Sequence, residues 1–140
     1  MLMREKEYIV VVQCHIAMER CSGYFCEKAF HERTGGFKGY SKERSYRILY
    51  LTCGGCCGMA VHRKLQDLIK MAKSEEKIEK HRIIVHLATC ITKDSYHGPP
   101  CPHLDYLKIM IQEKLGLDLR EDTTISKTAE SRRKNGIYKS

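Results

Sequence analysis

Three short runs in the sequence are apolar at nearly every position: "YIVVVQC" (Tyr8–Cys14), "YRILYLTC" (Tyr46–Cys53) and "RIIVHLATC" (Arg82–Cys90). Runs of this length, rich in β-branched residues, are the pattern of strands covered on both faces, as in a parallel sheet. Stretches with helical apolar spacing follow each of them, and 140 residues are enough for one domain with its own core. The fold class predicted is therefore α/β: a single three-layer domain on a mostly parallel sheet, flavodoxin-like or Rossmann-like.

The elements follow in order. After the first strand, "CSGYFCEKAFHER" reads as a short helix with Tyr24, Phe25, Ala29 and Phe30 as its apolar side, and "TGGFKGYSK" reads as a loop. After the second strand, Val61, Leu65, Leu68, Ile69 and Ala72 recur at helical spacing within about Gly58 to Ser74. After the third, Leu104, Leu107, Ile111 and Leu115 do the same, with Pro102 placed as a first helical residue and Gly116 as a stop. A weak fourth strand is expected near Thr123–Ser126, so the domain is assigned to residues 1–126. The remainder, 127–140, reads as a basic tail that is either a helix around Ala129–Lys134 or disordered, with partial order expected.

Composition bounds the function. Hydrophobic residues make up 42% and charged residues 30%, as in an ordinary soluble domain. Of the formal charge of +8, the tail holds +4 through Lys127, Arg132, Arg133, Lys134 and Lys139 against Glu130. The body is only mildly basic, so nucleic-acid contact through the tail is a secondary reading and a solvated end is the plainer one. The longest early apolar run, Ile9–Val12, is far too short for a signal-peptide core or a membrane span. A cytoplasmic location is expected. In a reducing compartment the eight cysteines point to metal or redox chemistry rather than to a disulfide framework.

Their positions sharpen this. Cys14, Cys53 and Cys90 are each placed at the end of a strand; Cys21 and Cys26, Cys56 and Cys57, and Cys101 are placed where the following helices open. In a parallel sheet all of these fall on one edge, where open α/β sheets bind their ligands. In Cys53-Gly54-Gly55-Cys56 two intervening residues let both sulfurs reach one ion, and a curled glycine loop turns its N–H groups towards anionic sulfur. Metal ligation is assigned to Cys14, Cys21, Cys26, Cys53, Cys56, Cys90 and Cys101, with His15, Cys57 and His103 as weaker candidates. The plain alternative for each cysteine is a small buried hydrophobe. His86 lies inside the third strand and reads as a core histidine. His31 and His62 read as solvated helix residues, His97 as a loop residue able to face the crevice, and His81 carries no signal.

Thiolates suit zinc, iron–sulfur clusters or Cu(I). Zinc needs four ligands, so the thiols suffice for two sites, for one site with spare thiols, or for a cluster. The rival chemistry is a thiol–disulfide redox pair at Cys53 and Cys56, since strand, C-x-x-C and helix is also the thioredoxin-like arrangement. Dinucleotide, phosphate-loop and hydrolase-elbow motifs are absent, which leaves a nucleotide enzyme without support.

Taken together, Cys14 after the first strand, "CSGYFCEKAFHERTGGFKGY", "TCGGC", "VHLATC" and the later "CP" resemble the CGGC-domain family of small, Cys-rich prokaryotic proteins. The resemblance runs from about Ile9 to beyond Cys101. It implies a metal-binding domain, with zinc suggested by its Cys and His residues and no assigned reaction. It places Cys14, Cys21, Cys26, Cys53, Cys56, Cys90 and Cys101 on the family's cysteine positions, while Cys57 and the basic tail are additions.

Overall fold

The computed structural model describes residues 6–15, 17–19, 21–54, 59–92, 103–121 and 123. The tail, Cys56, Cys57, Cys101, His97, Pro102 and the expected strand positions 124–126 lie outside them. The described elements are β1 (Tyr8–Gln13), α1 (Tyr24–Glu32), β2 (Arg47–Thr52), α2 (Met59–Glu76), β3 (Ile83–Leu87), α3 (Thr89–Thr92), α4 (Leu104–Ile109) and β4 (Asp118–Glu121). The strands form an all-parallel sheet in the order β2-β1-β3-β4, confirming the α/β class. This order is that of the flavodoxin-like doubly wound fold, whose direction reverses between β1 and β3.

Both faces of the central strands are buried because their residues are apolar without alternation. On one face Tyr8, Val10, Val12, Ile83, Val85 and Leu87 pack against α2 and α4 through Val61, Leu65, Leu107 and Ile111. On the other, Ile9, Val11 and Ile84 pack against Ala29 of α1 and against Phe37 and Tyr40. Each fully buried Val, Ile or Leu contributes about 1.5–3 kcal/mol, so the inner strands hold the molecule together.

Several elements differ from expectation in instructive ways. The second strand was expected to be covered on both faces, but β2 is an outer strand with Arg47 and Leu49 exposed. The fourth strand falls at Asp118–Glu121, before the expected position, where it pairs with Ile84–Leu87. As an edge strand it tolerates charge, which hid it in the sequence. In α1 the apolar side is Cys26, Ala29 and Phe30, three and four residues apart; Tyr24 and Phe25 instead point to solvent, 59% and 63% exposed, as an edge-to-face pair. The last helix closes with a wide turn, Met110–Lys114, where Leu115 N–H reaches back to Met110 O. Gly116 follows with φ +68°, in its expected role as a stop.

The segment 33–46, of which 34–42 was expected to be loop, is built around a buried ring cluster. Phe37 is fully buried and stacks on His86 at 4.6 Å, and the Tyr40 hydroxyl lies 2.8 Å from His86 Nε2. His86 is thus a satisfied core histidine, as the sequence indicates. Arg33 ends α1 in the left-handed region at φ 57°, unfavourable for a side chain with a Cβ. Its guanidinium offsets this by lying 4.1 Å over the Phe30 ring and donating to the carbonyls of Phe30, Ser41 and Arg44.

At the amino ends of the strands, Lys6 is 1% exposed and pairs with Asp118 at the start of β4 while donating to His81 O. Among the described residues no helix is long and apolar enough to cross a membrane. Truncating the ring cluster should be costly: Phe37→Ala is expected to destabilise by about 3–5 kcal/mol and Tyr40→Phe by about 1 kcal/mol, read as shifts in the midpoint of urea unfolding.

Candidate metal centre

The thiols are brought together by the way the strands end. The β1–β2 ladder continues past the strands as Cys53 N–H to Gln13 O, and the β1–β3 ladder as Ala88 N–H to Val12 O. The carboxyl ends of the three strands are thereby held level. After β1 the chain folds back at once, with Met18 N–H bonded to Cys14 O and Cys21 N–H to Ala17 O. Gly23, at φ 84°, then opens α1 and carries Cys26 into its first turn. After β3, which stops at Leu87 rather than running to Cys90, the helical turn α3 places Cys90 over the end of β1.

Backbone amides point at the sulfurs. Cys14 N–H donates to Cys90 Sγ at 3.1 Å, His15 N–H to Cys53 Sγ at 3.4 Å and Gly23 N–H to Cys21 Sγ at 3.4 Å. Cys26 Sγ lies 3.1 Å from Thr123 Oγ1. Donors of this kind favour the anionic form of sulfur. Burial opposes them. The Cys90 thiol is pushed up to about 12, first by desolvation and then by the charges that Cys14, Cys26 and Cys21 would carry, against the Cys14 amide. Cys26 is also raised, chiefly by burial, with hydrogen bonds from Thr123 and Gln13 working the other way. In metal-free protein at neutral pH both are therefore thiols.

Two groupings result. Cys14, Cys21, Cys26 and Cys90, from the β1 end, the turn after it, α1 and α3, lie close enough for the others' charge to bear on Cys90. Cys53 sits one strand over, beneath the His15 amide. No disulfide joins any of these five. Among the described residues no three His, Cys, Asp or Glu side chains are already arranged around a single ion position. The weaker candidates are placed less favourably: the His15 ring is exposed and lies 3.3 Å from Thr52 Oγ1, and His103 is exposed at the start of α4. Cys56, Cys57 and Cys101 lie outside the described residues.

The model of the CGGC domain matches residues 8–124, most of the chain. The chain belongs to the CGGC domain family. Membership makes metal binding through cysteine the expected general property and specifies no metal, ligand set or reaction. No curated protein and no solved structure matches the chain.

The signature tetrapeptide of this CGGC domain, Cys53–Cys56, starts against α2. Gly54 adopts φ 79°, and a Cβ there would stand 2.6 Å from the Ala60 Cβ. The first glycine is thus required both by backbone conformation and by the close approach of the helix.

Sequence reasoning missed three polar residues around the thiols. Gln13 is buried on β1 beside Cys26. Thr123 is fully buried; its N–H donates to Thr89 Oγ1 and its carbonyl accepts from Gly36 N–H, so it ties the end of β4 to α1, α3 and the 33–46 segment. Tyr50, on β2, has a buried hydroxyl with no hydrogen bond among the described residues and is pushed up to about 12 by burial and by the charges of Cys26 and Glu27. A buried threonine, glutamine or tyrosine has no marked sequence signal.

Two outcomes follow. Burial keeps Cys90 in its thiol form in metal-free protein at pH 8, so Cys90 should be alkylated by iodoacetamide far more slowly than a model thiol, measured by peptide mass spectrometry. Gly54→Ala should lower the melting temperature through its left-handed backbone and the Ala60 contact, a cost of at least about 1 kcal/mol, measured by circular dichroism.

Proposed function

We propose that this CGGC domain binds a thiophilic metal, zinc or an iron–sulfur cluster, at the carboxyl ends of its parallel strands. Cys14, Cys21, Cys26 and Cys90 form the primary ligand group. Cys53, with Cys56 and Cys101, either completes the same centre or forms a second one. The carrying observation is the aim of backbone N–H groups at the sulfurs of Cys21, Cys53 and Cys90 along the carboxyl edge of the sheet, with the Cys14–Cys90 contact at the point where the winding reverses. Such amides offset thiolate charge, which four sulfurs on one divalent ion would otherwise leave at −2. The donor set fits: sulfur alone, partly buried, drawn from four separate segments of chain.

A bound cation reverses the electrostatics of the cluster. Without it, burial above all keeps Cys90 and Cys26 in their protonated forms; with it, ionised sulfur is favoured and protons are released. The centre gathers its sulfurs from side chains that do not already surround one point, so binding and local ordering go together. A closed four-sulfur site serves structure or sensing, and a position left open to water or substrate serves chemistry. The domain is assigned to the cytoplasm on the reduced state these ligands require.

The thiol–disulfide alternative uses Cys53 and Cys56. It predicts a reversible two-electron couple in metal-free protein and metal content unaffected by alkylating those two residues.

The deciding experiment is anaerobic purification followed by elemental analysis and visible absorption. Zinc at one or more per chain in a colourless protein, or iron and sulfide in a brown one, is the expected result. Protein that carries no metal and takes none up on anaerobic titration overturns the assignment. Cys14→Ser and Cys90→Ser should each weaken retention by at least about tenfold. Because two raised thiols must lose protons, apparent affinity should rise with pH between 6 and 9, read by competition with a chromophoric chelator.

A further inference from the structure

A second concavity lies away from the thiols. It opens between α2 and the wide turn that ends the last helix, with a volume of about 600 Å3. The Lys80 turn runs directly into β3 and Leu115 lies just before β4, so one wall of the groove stands at the amino ends of these strands, while α2 forms the other wall along its length from Arg63 to Lys70.

Its lining is cationic. Arg63 and Lys70, with Asp67 between them, lie at four- and three-residue spacing along one face of α2; Lys80 and Lys114 come from the opposite wall. Four cations against one carboxylate give a local charge of +3. Among the described residues four basic side chains elsewhere pair with carboxylates: Lys6 with Asp118, Arg47 with Glu76, Arg82 with Glu7 and Lys108 with Glu121. Among the described residues none of the four groove cations forms an ion pair. The Lys80 ammonium lies against Gly116, 3.1 Å from where a Cβ would stand, so it fits there because that residue has no side chain. Like charges gathered on one stretch of surface repel one another and raise a positive potential over the space between them. An anion bound there relieves that repulsion.

We propose that this groove binds a small anion carrying two or more adjacent phosphates. Three of the four cations are lysines, compact point charges suited to phosphate oxygens. The volume suits a small molecule. Ile69 and buried Leu115 supply an apolar patch where a ring attached to the phosphates can rest. The site does not depend on the metal centre or on the basic tail.

The test is isothermal titration of the full chain with tripolyphosphate and, separately, ATP, without added divalent cation, at 50 and 200 mM salt. Expected is one site per chain of about micromolar affinity, weaker at the higher salt. Lys70→Glu and Lys114→Glu should each weaken it by about tenfold or more, and Asp67→Asn should tighten it by a few-fold. All three positions are exposed, and melting curves will report their folding. Equal affinity for the two ligands assigns the site to the phosphate chain; tighter ATP binding adds the apolar patch as a ring platform. No binding at millimolar ligand overturns the proposal. So does binding that survives the groove substitutions and is lost on Arg132→Glu with Arg133→Glu, which would assign it to the tail.

Discussion

The amide of Cys14 pointing at the sulfur of Cys90 is the contact around which the candidate centre is arranged. It spans the gap between β1 and β3, where the winding of the sheet changes direction. Everything that keeps it in place is apolar and parallel: two inner strands buried on both faces, with ladders that run one residue beyond the strand ends. Because the chain leaves β1 and β3 on diverging paths, the crevice between them is not filled by a connection. The sulfurs occupy it instead.

Around that contact the fold uses polar ties rather than more apolar surface. Thr123 joins four parts of the chain with its hydroxyl, amide and carbonyl. Arg33 makes a strained helix end useful, its guanidinium fastening the following segment to α1. That segment then supplies Phe37 and Tyr40 against the second face of the sheet. The cost of burying Cys90 and Cys26 away from water is visible in their retained protons, and it is a cost that a cation removes.

Much of this was legible in the sequence. The three apolar runs became β1, β2 and β3, and the lack of alternation announced two-sided coverage for β1 and β3 but misled for β2, which lies at the edge. For the described cysteines, the nearness of Cys14 to Cys90 and of Cys53 to the end of β1 is what parallel strands ending at these residues imply, although Cys90 lies on the turn after β3 and not at its end. Edges were harder to read. β4 carries Asp118, Arg120 and Glu121, because an outer strand need bury little, and its charges masked it. Tyr24 and Phe25 looked like core by composition, whereas the phase of α1 is set by Cys26, Ala29 and Phe30. Thr123, Gln13 and Tyr50 matter through contacts with residues far off in sequence, which no local pattern encodes.

The outer strand β4 has a consequence for the molecule in bulk. It is charged at three of its four positions, whereas the opposite edge, β2, carries charge only at Arg47, ion-paired to Glu76. A charged edge is a poor template for another chain to extend. With β1 and β3 enclosed between their neighbours, the arrangement that shelters the sulfurs also withholds the two most hydrophobic strands from self-assembly into ribbons.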